Sequence, residues 1–390
     1  MRVLVVSAWE PWRVSDGAVL PLHRHLHELA SRHEITVLAA GSRSSAEAQV
    51  DGPALTLPDG VRVRWFGSSR PSSVDYGLRR IQGVVHREPA HVLYVERPQL
   101  MAALAEEAGH ADVAHLAGWG TAHLAAVARP LPAVHYAVDP WAQSWHNRRL
   151  PRWRRIADLG QRRATARHER RWYPAASSVA VVTQHDAELL QRQVPDGHFV
   201  AVPNGVDIGP APVDPPEQPT IGFHGAFETQ ANADGAVALV RDILPLVRAQ
   251  RPDVQALLVG RDPTPDIKAL AGSGVVVRGD VADMREQLDA MSVHVTWMPS
   301  GMGMKNKVLE AMAAGRPVIA NHRGASGIGA GDGLEIAADP ADAAARILRL
   351  LGDRAAIATA GAAARRRVER QFTWAASAAA IELLWERAAG

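Results

Sequence analysis

Ser300-Gly-Met-Gly-Met-Lys305-Asn306-Lys307-Val-Leu-Glu310-Ala-Met-Ala-Ala-Gly315-Arg-Pro317-Val318 holds two of the three lysines in a chain with 43 basic residues, the rest arginine. A lysine kept against that bias marks a place that wants a compact point charge rather than a planar fork. Gly301 and Gly303 give a flexible lead-in. The spacing predicts a helix from about Lys305, with Gly315 at its C′ position and Pro317 beyond it. Lys307 and Glu310 are i and i+3, so both heads project from one face near the helix start. That end offers unpaired N–H groups and positive dipole, which suit a phosphate. A cation at the phosphate and a carboxylate one turn on, able to accept from sugar hydroxyls, describe a nucleotide-sugar site. The same run also reads as a solvated lysine and an ion-paired glutamate on a surface helix, so context has to decide.

At 390 residues the chain has room for two or three domains with buried cores. Hydrophobic residues make up 47% and charged residues 22%, an ordinary globular balance. A formal net charge of +2 is too small to point to nucleic acid, while a pI near 9.2 leaves room for an anionic partner. Without cysteine there is neither a disulfide framework nor a thiolate metal site, and a reducing cytoplasm is the expected compartment. Met1-Arg-Val-Leu-Val-Val-Ser7 is too short an apolar run for a signal peptide. No later run reaches the roughly 18 apolar residues of a membrane span.

Val3–Val6 is a continuous apolar run of the buried parallel-strand kind. A loop with Pro11, Ser15, Asp16 and Gly17 follows, and Leu20, Leu22, Leu26, Leu29 and Ala30 then fall at helical spacing up to His33. Further strands are expected at Ile35–Leu38, Val61–Trp65, Val113–Leu116, Pro132–Val138 and Ser178–Val182. This alternation implies a doubly wound α/β layer that binds ligands at the carboxyl ends of its strands. The polar groups there are candidates: Gly17 after the first strand, His115 and Trp119 at a middle one, His135 and Asp139 at a later one. Gly17 brings backbone amides close to a diphosphate or is an ordinary turn glycine. His115, His135 and Asp139 read either as site residues or as core and capping groups. His23, His25 and His27 alternate like metal ligands, but two-residue steps on a helix point about 200° apart, so no metal site is expected. Trp145–Trp172 carries ten arginines against Asp158 and Glu169, with Trp153 between them. Such a stretch can meet an anionic membrane surface or bind an anionic acceptor; a solvated helical face with inward aromatics is the favoured reading.

Val202-Pro-Asn-Gly-Val-Asp207, followed by the proline-rich residues 210–219, is the clearest linker. A second alternation begins with the strand Thr220–Gly225 and continues through Val254–Gly260, Val275–Val277, His294–Trp297, the lysine-bearing helix and Val318-Ile319. The division expected is an acceptor-binding Rossmann-like domain over 1–205, a nucleotide-sugar domain over 206–371, and a helix over 372–390 that crosses back to the first domain. Two such domains would face a cleft, with the polar strand ends lining it.

At these residues the chain resembles the group 1 glycosyltransferases of GT-B fold. The likeness is carried by Val202–Asp207, the strand ending at Gly225, Leu258-Val-Gly-Arg261 and Asn306-Lys-Val-Leu-Glu-Ala-Met-Ala-Ala-Gly-Arg-Pro-Val-Ile319. Phe372-Thr-Trp374 before the last helix is similar to that family too. The likeness is close over about residues 200–375 and rests on pattern alone in the amino half. It implies transfer of a sugar from a nucleoside-diphosphate donor to an acceptor hydroxyl, normally with retention. Carried over by position, Glu310 would bind the donor ribose and Lys307 the diphosphate. Gly17 and Gly225 would let amides approach that diphosphate, and His135 falls near a His-Asp strand end that lines the sugar site. His115, Trp119 and Asp139 would serve the acceptor.

Two features depart from the family pattern. Met302 stands where a glutamate usually contacts the transferred sugar, and Ala226–Asn232 lacks the usual basic residue. Stabilisation of the leaving group would then rest on Lys307, with Lys305 or Arg261. A subset of the family with Asn-Lys-Val-Leu-Glu-Ala-Met shares both departures. No Asp-x-Asp occurs, so neither a metal nor another cofactor is expected. The acceptor expected is a small molecule, such as an aminocyclitol in antibiotic biosynthesis, or else a glycan. A nucleotide-sugar epimerase, a pseudo-glycosyltransferase joining cyclitols and a non-catalytic nucleotide-binding relative are the alternatives. A dinucleotide oxidoreductase would need Gly-x-Gly-x-x-Gly after the first strand, and a P-loop enzyme Gly-Lys-Ser/Thr; neither motif is present.

Overall fold

A computed structural model describes residues 1–12, 17–41, 57–67, 88–89, 92–95, 97–144 and 152–390. Ser15 and Asp16 of the first loop and residues 145–151 of the Arg/Trp-rich stretch lie outside the described residues. Two compact units make up the chain: Met1–Pro203 together with Trp374–Gly390, and Asn204–Thr373.

The apolar runs of the first unit become β1 (Arg2–Ser7), β2 (Glu34–Gly41), β3 (Arg62–Gly67), β4 (Val113–Ala117), β5 (Ala133–Val138), β6 (Ser178–Val181) and β7 (Phe199–Ala201). They form one sheet in the order β3-β2-β1-β4-β5-β6-β7, with every neighbouring pair parallel. Val3, Val5, Val6 and Leu116 are essentially inaccessible, as a parallel sheet covered on both faces requires. The strand order reverses between β1 and β4, which is where such a sheet opens a ligand crevice. The helix Val19–Leu29 stops short of the expected His33, with the Ala30 amide closing on the Leu26 carbonyl at 3.0 Å. The last helix, Trp374–Ala389, packs on it. His25 Nε2 lies 2.9 Å from Ser377 Oγ, and His33 Nε2 lies 2.7 Å from Glu382.

The second unit holds β8 (Thr220–His224), β9 (Gln255–Gly260), β10 (Val275–Gly279), β11 (Val293–Thr296), β12 (Val318–Ala320) and β13 (Leu334–Ile336). Their order is β10-β9-β8-β11-β12-β13, again parallel throughout. The order reverses here between β8 and β11. The lysine-bearing helix runs Asn306–Ala313 and closes with a Schellman turn. Arg316 N–H bonds Ala311 O and Gly315 N–H bonds Met312 O, both at 2.9 Å, with Gly315 at φ +72°.

The proline-rich stretch after Asn204 is not a free linker. Its carbonyls are served by guanidinium groups of the same unit: Arg285 reaches Pro210 and Ala211, Arg365 reaches Gly209, Arg316 reaches Val213 and Arg354 reaches Pro215. Prolines cannot donate, so side-chain donors hold the segment in place. Arg316 is thereby almost fully buried, with Asp289 3.6 Å away as its counter-charge.

Candidate functional site

The second unit gathers its polar groups at the carboxyl ends of β8 and β11, on either side of the strand-order reversal. β8 ends in His224, and β11 carries His294 and Thr296, two residues apart and therefore on one face. The parallel register that sets His294 against Gly222 brings the two imidazoles together. His224 Nδ1 lies 3.0 Å from His294 Nε2, and His294 Nδ1 lies 3.1 Å from Thr296 Oγ1. On its other side His224 Nε2 lies 2.7 Å from Glu310 Oε2. Burial, with His224 and Lys307 nearby, pushes the His294 pKa well below its ordinary value, so His294 is neutral. Burial works against an ionised Glu310, but the bond from His224 and the charge of Lys307 outweigh it and hold the carboxyl below its usual range.

One turn nearer the helix start, Lys307 is 9% exposed. Its Nζ donates to Asn232 Oδ1 and stands 4.3 Å from the centroid of Phe223, over the ring face. Desolvation, reinforced by Lys305 and only partly offset by Glu310, lowers its pKa to about 7. Gly225 is what makes room for this ammonium, since a Cβ there would lie 2.7 Å from Nζ. Lys305 is the N-cap residue, in extended conformation, and no side chain caps the helix start. Its own Nζ donates to Met302 O at 2.6 Å and Gly303 O at 3.0 Å, clamping the loop in which Gly301 and Gly303 have φ of +111° and +66°. Arg261, just past β9, is exposed and pairs with Glu228 at 2.9 Å.

Of the residues singled out from the sequence, Lys305, Lys307, Glu310 and Gly225 therefore come together, and Arg261 lies at the next strand end. His224, His294, Thr296 and Asn232 belong with them but were not among those residues. The period-two pair His294 and Thr296 and the histidine closing β8 were the visible signals; what joins them is strand register.

In the first unit the candidates separate. His115 is buried, accepting from Trp385 Nε1 at 3.0 Å and lying parallel to Tyr136, under the last helix. His135 is fully buried in mid-strand, its Nδ1 3.1 Å from Leu116 O and its ring 5.1 Å from Tyr173. Burial drops both imidazoles to about 3, so both are neutral core groups. Gly17 sits in an exposed turn. Asp139 follows Val138, whose φ of +71° is costly for a β-branched residue. At the strand-order reversal, Trp119 meets Trp9 edge to face and Trp141 face to face, each with ring centroids 6.2 Å apart. Trp119 Nε1 has no hydrogen-bond partner among the described residues. The described part of the Arg-rich helix Arg152–Trp172 turns Arg163, Arg167, Arg170 and Arg171 to solvent. No described helix is long and apolar enough to cross a membrane.

Residues 218–353 match the family model for glycosyl transferases group 1, and residues 16–209 match that for glycosyltransferase family 4. A phosphatidyl-myo-inositol mannosyltransferase of Mycolicibacterium smegmatis is 31% identical over 219 residues, 52% of this chain. The matched stretch spans 56% of that relative, little more than half its length. Among solved structures, sucrose-phosphate synthase from Thermosynechococcus elongatus superposes with a TM-score of 0.70 at 20% identity, over 99% of this chain and 98% of that one. Anabaena HepE, solved in complex with UDP and glucose, gives 0.66 at 17% identity, over 99% and 100%. Both units are Rossmann-like, and the chain belongs to the group 1 glycosyltransferases of GT-B fold.

Proposed function

We propose that the protein transfers a sugar from a nucleoside-diphosphate donor to an acceptor hydroxyl, with retention and without a metal. The observation that carries this reading is the buried Lys307 ammonium beside an ionised Glu310 on the first turns of an uncapped helix. Departure of a nucleoside diphosphate builds negative charge on the leaving phosphate, and a fixed, desolvated cation stabilises that charge most. Lys307 is assigned this part. Glu310, partly open to solvent, accepts from the ribose hydroxyls. The UDP bound to HepE, a protein of the same fold, is consistent with such a donor. A retaining transfer of this kind needs no protein nucleophile, because the departing phosphate can take the proton of the incoming hydroxyl on the same face. For the acceptor we favour a small ring polyol such as an aminocyclitol. The half-buried Trp9 and Trp119, edge to face, offer it an apolar platform.

Calorimetric titration with UDP, GDP and ADP tests the donor. One of them should bind saturably, and Glu310→Ala should weaken it about ten- to hundredfold, the worth of hydrogen bonds to a charged group. If none binds, the reading is lost. A nucleotide sugar consumed without any acceptor would indicate an epimerase instead.

Gly225→Ala gives a second check. The added methyl would stand 2.7 Å from Lys307 Nζ and 3.0 Å from Asn232 Cγ, so the ammonium has to move. Gly225 has φ +159°, a backbone conformation that side-chain-bearing residues rarely adopt, so the variant should also melt a few degrees lower, and binding is read well below that melting temperature. Diphosphate affinity should fall roughly tenfold. Unchanged affinity would show that Lys307 does not act from this position.

A further inference from the structure

We infer that His224 and His294 are positioning residues for the donor ribose, holding Glu310 so that one carboxylate oxygen is left to accept from a vicinal diol. The inference rests on the donor reading above and adds to it two residues that need never touch the ligand.

The hydrogen-bond chain ends at Glu310. Ionised Glu310 can only accept, so His224 Nε2 must carry the proton of the 2.7 Å bond. His294 is neutral and so carries one proton for two contacts: its Nε2 meets His224 Nδ1 at 3.0 Å and its Nδ1 meets Thr296 Oγ1 at 3.1 Å. Whichever nitrogen holds that proton, the other accepts, from His224 Nδ1–H or from the Thr296 hydroxyl, so both contacts are served. His294 and Thr296 are fully buried and His224 nearly so, which makes a mismatched tautomer expensive, since it would leave buried polar atoms unpaired. The chain reaches water only at Glu310, whose side chain is 40% exposed. Oε2 is taken by His224, and Oε1 has no protein hydrogen-bond partner among the described residues. A carboxylate fixed through one oxygen, with the other turned to the opening, is preorganised for two adjacent hydroxyls.

A hydrophobic pair at 224 and 294 would fill the same space, so the buried imidazoles need an explanation beyond packing. Fixing Glu310 supplies it: a glutamate at the second turn of a helix otherwise has several rotamers to sample.

The test compares UDP, GDP and ADP with their 2′,3′-dideoxy counterparts by calorimetry, using the parent protein and the variants His224→Leu, His224→Gln and His294→Leu. The parent should prefer the ribose form of whichever base it binds. His224→Leu should cost about ten- to hundredfold in affinity for the ribose ligand and leave the dideoxy ligand unchanged. His224→Gln keeps a donor towards Glu310 and should recover most of that loss. His294→Leu should lose less, with the same selectivity for the diol. A parallel loss for both ligands, or a glutamine variant no better than leucine, would reduce the histidines to packing and overturn the inference. A parent that prefers the ribose, with variants that keep its preference, overturns this inference alone. A parent that binds none of the three removes the donor reading and this inference with it.

Discussion

Lys307→Ala should lose nucleoside-diphosphate binding about ten- to hundredfold, with turnover reduced at least as much, while Lys305→Ala should lose far less. The two lysines are neighbours in sequence but serve different partners. Lys307 points its ammonium at Asn232 and the face of Phe223, in space that Gly225 keeps open. Lys305 spends its hydrogen bonds on the carbonyls of Met302 and Gly303. Removing a charge-assisted contact costs about 1.5–3 kcal/mol, which sets the range for Lys307. Lys307→Arg should restore only part of the loss, because the planar guanidinium is longer and has no room beside Gly225. Stability separates this from unfolding. Lys307 is held below its ordinary pKa by desolvation, so the folded state bears a cost for its charge that a neutral replacement avoids. The alanine variant should melt no more than a few degrees lower than the parent, through lost packing alone. Equal losses of turnover at 305 and 307 would mean that both ammonium groups reach the diphosphate.

The pairing of Lys307 with Glu310 was legible because its logic is local. Lys307 and Glu310 are three residues apart, and Gly315 closes the same helix two turns later, so helical spacing alone brings them into relation. The apolar runs that became β1, β4, β8 and β9 were equally plain, since parallel strands buried on both faces carry continuous hydrophobic sequence. What the sequence hid is set by register. His224 and His294 lie 70 residues apart, and Asn232 lies 75 residues from Lys307; only the pairing of β8 with β11 and the return of the chain beside Gly225 make them neighbours. β13 escaped notice because Leu334–Ile336 is three residues long and follows a glycine-rich turn. His115 looked like a strand-end group, but its partner Trp385 stands 270 residues away on the last helix. Proline content alone likewise suggested a linker at 210–219, and only the tertiary positions of Arg285, Arg316, Arg354 and Arg365 reveal that it is tied down.

Binding of a nucleotide sugar should take up close to one proton at pH 8, and its affinity should weaken as pH rises through 7. In the protein alone, desolvation and Lys305 bring the Lys307 pKa to about 7, against about 10.4 for a free lysine. The diphosphate of a nucleotide sugar is a diester with no ionisation in this range, so its charge is constant. Placed beside Lys307, that negative charge favours the ammonium and raises the bound-state pKa. The complex holds the proton that the free protein has lost, so affinity is flat well below pH 7. Above 7 it falls by up to about tenfold per pH unit, until pH passes the raised pKa. Glu310 is already ionised and His294 is held neutral across this window, so neither contributes. The measurement is calorimetric titration at pH 8 in buffers of different ionisation enthalpy, whose slope counts protons exchanged. Lys307→Gln is the control: it keeps a donor at the position but has nothing to titrate, so its uptake should vanish and its weaker affinity should no longer follow pH. Proton uptake that persists in the glutamine variant would place the titrating group elsewhere. No uptake in the parent would mean that Lys307 is already charged before the donor arrives.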